Sequence, residues 1–134
     1  FQVTKTAISP SILRFSSRGD VTATHLDGRL LGPTSLFPGL STPGARGETV
    51  SLWTVGFGLP TTPLVQGSAT QTGLLPFTPA CFLGGDPASV VAALVSPGLY
   101  QLNVTIPNSA KAGDNPFYCT TPNEWTEVAL IAVR

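Results

Sequence analysis

The sequence predicts an all-β domain, an antiparallel sandwich of seven to nine short strands with two long loops rich in proline and glycine. Three observations carry it. No segment of ten or more residues repeats its apolar positions with the 3.6-residue period of a helix. The longest apolar runs, 90–95 and 128–133, have strand length and are rich in Val. Gly (14) and Pro (13) make up about a fifth of the 134 residues, against a usual share of about 12%, and they fall between those runs.

Each element follows from that punctuation. Residues 1–8 alternate apolar and polar and stop at Pro10, and residues 12–15 form a second extended piece. Residues 21–25 and 29–31 flank Asp27-Gly28, a dipeptide favoured in tight hairpin turns. A long loop spans 32–47 with Pro33, Pro38 and Pro43. The clearest strand is 48–55, with Val50, Leu52 and Thr54 on one face and Trp53 and Val55 on the other. A second long loop, 56–79, carries one short strand near Leu64-Val65. Strands over 81–83, 90–95, 99–106, 117–120 and 126–133 complete the set. The residues divide into an N-terminal extended strand, 1–8, and a sandwich domain, 9–134.

Composition excludes several functions. Seven Lys+Arg balance seven Asp+Glu, and charged residues are 10% of the chain, against about 25% in an average globular domain. A net charge of zero suits neither a nucleic-acid binder nor a polybasic membrane anchor. No apolar stretch approaches the roughly 20 residues of a membrane helix. The chain starts at Phe1 and contains no Met, as expected of a processed secreted protein or a fragment. Cys81 and Cys119 lie 38 positions apart. An even count in a Lys-poor, Thr/Ser-rich chain points to one disulfide of an exported protein, the alternative being two separate buried thiols.

Two blocks carry a resemblance. The first is Ala45-Arg46-Gly47-Glu48, the strand over 49–55, then Gly56-Phe57-Gly58. The second runs from Gly84-Gly85-Asp86-Pro87 through Pro97-Gly98-Leu99-Tyr100 to Ala112-Gly113. With the Asp27-Gly28 turn ahead of them, they resemble the Solibacter-type C-terminal module of secreted acidobacterial proteins, over residues 9–134. The resemblance implies an immunoglobulin-like sandwich, export from a bacterium and no enzymatic activity. Trp53 departs from the Tyr frequent in the family, the hairpin before Pro97-Gly98 is short, and the stretch from Tyr118-Cys119 to Trp125 replaces a simpler turn. These departures mark the disulfide and the Trp125 loop as specialities of this chain.

The candidate chemistry is sparse. His25, the only histidine, reads as a surface turn residue, since no nucleophile elbow accompanies it and Asp27. Asp20, Asp27, Asp86 and Asp114 stand apart beside turns and read as turn formers rather than metal ligands. Neither a catalytic site nor a cofactor is expected. Arg18-Gly19-Asp20 spells a cell-attachment tripeptide, and Asn103-Val104-Thr105 a glycosylation sequon; both read as ordinary turn and strand residues. Thr34-Ser35, Ser41-Thr42 and Thr61-Thr62 are candidate acceptors of O-linked sugar. Trp53 reads as core. Trp125, beside Pro122-Asn123-Glu124, reads as an exposed aromatic able to stack on a sugar, although a single ring makes no platform.

The functional expectation is a non-enzymatic structural protein of the bacterial surface, a self-assembling fibre subunit. Residues 1–8, with Phe1, Val3, Lys5, Ala7 and Ile8 as interface positions, would complete the sheet of a neighbouring copy. The alternative is an adhesion module that binds a glycan or a surface protein. Neither reading calls for nucleic acid or for insertion in a membrane.

Overall fold

The computed structural model describes Gln2 and residues 7–134. These residues contain no helix, and hence none long and apolar enough to cross a membrane. Eleven strands are present: β1 (Ser11–Ile12), β2 (Ala23–His25), β3 (Leu30–Leu31), β4 (Ser41–Thr42), β5 (Thr49–Val55), β6 (Gly73–Leu74), β7 (Ala80–Leu83), β8 (Asp86–Ser96), β9 (Leu99–Thr105), β10 (Gly113–Thr120) and β11 (Ala129–Val133). The domain is all-β, as its periodicity predicts.

The strands form one curled sheet in the order β11-β10-β7-β8-β9-β5-β2-β3-β4, with β1 on β5 and β6 on β8. The expected count of seven to nine strands and the purely antiparallel pairing are both corrected. β3 and β4 run parallel, and two parallel bridges join Asp20 to Leu130 and Gly44 to Val133. The cause is local. Consecutive turns over 33–40 carry the chain back, with Leu36 N–H donating to Pro33 C=O and Leu40 N–H to Phe37 C=O, both at 2.9 Å. Ser41 Oγ fastens the return, donating to Pro33 C=O (2.7 Å) and accepting from Phe37 N–H (3.0 Å). The chain then reaches β11, where Gly44 N–H donates to Ala132 C=O and Arg134 N–H to Gly44 C=O, each at 2.9 Å. The two ends of the strand path are thus bridged to each other.

The turns show why the strands lie where they do. Gly84 and Gly85, at φ +64° and +95°, form a two-residue hairpin turn of the type whose twist matches its strands. This pairing extends β8 back through Asp86-Pro87, where a strand end was expected. Pro87 is tolerated because β9 pairs with β8 only from Ser89 onward, so its missing N–H costs no ladder bond. At the β2–β3 turn only Gly28 has positive φ (+87°), with His25 N–H donating to Arg29 C=O at 2.8 Å. Leu26-Asp27-Gly28 is therefore a three-residue loop rather than a two-residue turn. The strand expected at Leu64-Val65 is absent; both residues are exposed, and β6 forms further on.

One core fills the curl. Val50, Leu52 and Thr54 of β5 face inward as their spacing predicts, against Tyr100, Leu102 and Val104 of β9. Phe57 and Phe117 are fully buried, each contributing about 1.5–3 kcal/mol by leaving water.

Candidate functional site

β7 and β10 pair antiparallel with Cys119 opposite Cys81 and Tyr118 opposite Phe82. Successive side chains on a strand point to opposite faces. The cysteines therefore enter the core, at 2% and 0% exposure, and the aromatics face outward. Cys81 and Cys119 form the disulfide, their Cα atoms 4.0 Å apart, within one sheet and across neighbouring strands. On the outer face the Phe82 and Tyr118 rings stack with centroids 5.2 Å apart and planes 21° from parallel.

A third ring extends the stack. After β10 the chain makes a tight loop: Thr121 N–H donates to Glu124 C=O (2.8 Å), and Glu124 N–H donates to Thr121 Oγ1 (3.1 Å). Thr126 closes it, its N–H donating to Cys119 C=O and its Oγ1 accepting from Cys119 N–H, both at 2.9 Å. Trp125, bridged to Thr120, is thereby laid on Tyr118 with centroids 5.7 Å apart and planes 18° from parallel. Each such contact is worth about 0.5–1.5 kcal/mol beyond the area it buries. Phe82 and Tyr118 spend ring faces on each other, while Trp125 remains 68% exposed with its outer face open. Beside it Asn123 and Glu124, with Ala7 and Ile8, line an open cleft of about 250 Å³. An exposed indole face suits a ring of C–H bonds bearing hydroxyls. The expectation that Trp125 stands as a single aromatic is thus corrected: it caps a ladder of three. Phe82 and Tyr118 were missed, although each stands next to a cysteine; only the register turns that adjacency into a stack.

The other candidates are placed as follows. Phe1, Val3 and Lys5 lie outside the described residues, as does most of the expected strand over 1–8. Ala7 and Ile8 are not in a strand; Ile8 packs near Gly58, and Ser9 N–H donates to Gly56 C=O at 2.9 Å. His25 is not a surface residue. It is 3% exposed, with Nδ1 2.5 Å from Glu48 Oε1 and Nε2 3.0 Å from Thr42 C=O. Burial pushes the Glu48 carboxyl up, but the Ala45 N–H (2.7 Å) and His25 outweigh it and hold the group below its ordinary range. Asp20 and Asp114 do not stand apart either: both pair with Arg18. Asp20 is buried and also accepts from Ser16 Oγ at 2.6 Å, so the Arg18-Gly19-Asp20 tripeptide is not free for a receptor. Asn103 lies mid-strand and accepts from Ser51 Oγ (2.9 Å) and Gln101 Nε2 (2.8 Å). Ser41 is buried, whereas Thr34, Ser35, Thr61 and Thr62 are exposed. Trp53, expected in the core, is half-buried on the outer side of β5. Among the described residues no three His, Cys, Asp or Glu side chains cluster to hold a metal.

Fold and site together define a curled all-β module with a disulfide-backed aromatic ladder. No protein-family model, curated protein or solved structure matches the chain.

Proposed function

We propose that this chain is an exported, non-enzymatic, immunoglobulin-like module of the acidobacterial type its motifs resemble, and that it binds a neutral glycan through the Phe82–Tyr118–Trp125 ladder. The stacked rings carry this reading: three aromatics held on an exposed sheet face, with an open indole at the end and no basic residue in the 120–127 stretch that presents it. The disulfide is compatible with an extracellular location. It joins neighbouring strands of one sheet, so the module would differ from antibody domains, whose bond spans two sheets. Co-sedimentation with insoluble cellulose and chitin, and calorimetry with soluble xylan and dextran, test the reading. Binding to at least one of these, weakened tenfold or more by Trp125→Ala, is expected. No binding to any of the four refutes it.

Self-assembly into a surface fibre is the second reading, supported by the placement of Ala7 and Ile8 in two open clefts, one of them lined also by Phe57 and Gly58 just past β5. Strand exchange has less support than the ladder, because the ends of the strand path already bond each other through Gly44. Deleting residues 1–8 should abolish any filaments seen by negative-stain microscopy; filaments that persist exclude strand donation.

A further inference from the structure

The outer face of β6, β8, β9, β5 and β2 carries three side-chain rows across the strands. Register aligns Ala93, Gln101 and Trp53 in one row, followed by Leu74 of β6 on one side and Thr22 on the other. The next row holds Val91, Asn103, Ser51 and Thr24, and the third holds Ser89, Thr105 and Thr49. None of these residues is charged, in a chain with fourteen charged side chains. At the β6–β8 margin the rows turn apolar, with Leu74 and Val91 each 59% exposed.

From this arrangement we infer that the face pairs with the same face of a second copy of this chain, about a two-fold axis. Hydroxyls and carboxamides both donate and accept, so a surface built of them is complementary to itself. A two-fold contact sets a patch against its own copy, which brings like charges together; a face without charge escapes that penalty. The polar groups are also paired before any partner arrives. Ser51 Oγ and Gln101 Nε2 both donate to Asn103, and the Thr49 and Thr105 hydroxyls lie 3.0 Å apart. They can leave water with their partners in place, which lowers the cost of burial.

Size sets the strength. Strands about 4.8 Å apart and rows about 7 Å apart give the twelve positions of these rows an area of about 400 Å² per copy, of which Ser51 is already buried. The total, about 800 Å², is below the range of stable specific interfaces, so the dimer should be weak and concentration-dependent.

Sedimentation velocity of the full chain between about 1 µM and 1 mM tests this. A monomer–dimer equilibrium that stops at two is expected. Val91→Arg and Ser89→Arg, both at exposed positions, should weaken it tenfold or more, while Leu40→Arg, exposed in the turns before β4 and outside the three rows, leaves it unchanged. Thermal melts of each variant confirm that it is folded. A chain still monomeric at 1 mM, growth beyond dimers, or equal loss in Leu40→Arg would overturn the proposal. Glycan binding by Trp125 is read separately and bears on neither outcome.

Discussion

Replacing both cysteines, as Cys81→Ala with Cys119→Ala, tests how much of the β7–β10 register the covalent bond supplies. The bond closes a loop of 38 residues. In the chain-entropy account, releasing a loop of that length costs about 4 kcal/mol at 25 °C. Domains of this kind have about 5–15 kcal/mol in all, so the loss is a quarter or more of the total. With a urea slope of about 2 kcal/mol/M, the unfolding midpoint should fall by about 2 M. With an unfolding entropy of about 2.1 cal/mol/K per residue, Tm should fall by about 14 °C. The assay is urea unfolding followed by far-ultraviolet circular dichroism, with the near-ultraviolet signal of the stacked rings recorded in parallel. A midpoint within about 0.5 M of the parent would contradict a loop-closure contribution of this size. It would mean that backbone pairing and the buried neighbours Leu83 and Phe117 already restrict the unfolded chain or fix the register alone.

Two further perturbations probe other parts of the fold. Glu48 has its carboxyl pKa lowered by folding, so its contribution is present above the ordinary glutamate range and is lost as pH falls through the lower, folded value. Stability measured between pH 6 and about pH 3 should therefore drop more steeply in the parent than in Glu48→Gln, and parallel curves would exclude the effect. Gly56 has φ +78°, and a Cβ there would meet the Ser9 carbonyl oxygen at 1.9 Å. Gly56→Ala should cost about 1–3 kcal/mol from backbone conformation alone, and more from displacement of the backbone at Ser9. Urea unfolding reads the loss, and a change below about 0.5 kcal/mol contradicts the geometry.

The legible parts of the fold are those fixed by neighbours in sequence. β5 and β9 show their inward and outward faces by simple alternation, and Gly56, Gly58, Gly85, Gly98 and Gly113 all have the positive φ expected at strand ends. His25 was also within reach. Val21, Ala23 and His25 lie two apart, and the first two are plainly apolar, so period two already directs His25 inward. The nearby Asp27-Gly28 turn signal outweighed that pattern, and Glu48, 23 positions away, gave no local sign of being its partner. The ladder was hidden for a related reason. Trp125 is visible as an exposed aromatic, but its stacking depends on a register between strands some 36 residues apart and on the Thr121–Thr126 closure. The bridges through Gly44 and Asp20 are single contacts of irregular chain, for which periodicity holds no signal.

The scarcity of charge takes a definite meaning from where the charges sit. Arg18 joins Asp20 and Asp114, Glu48 holds His25, Arg29 turns back on Asp27, and Arg46 donates to Ala110 C=O at 2.6 Å. These groups fasten turns and strand ends, where irregular backbone needs partners that a ladder would otherwise supply. The rows across β2, β5, β9 and β8 are left to hydroxyls, amides and the apolar Trp53, Val91 and Ala93, and the β7–β10 face to stacked rings. Such surfaces gain little from charge steering and lose little to salt, since screening acts on charges and not on ring stacking or neutral hydrogen bonds. An electrostatic partner would find no charge in the rows, and at the ladder only the acidic Glu124 next to Trp125. The faces are instead suited to partners as uncharged as themselves: a neutral sugar at the ladder, and the same sheet of a second copy at the rows.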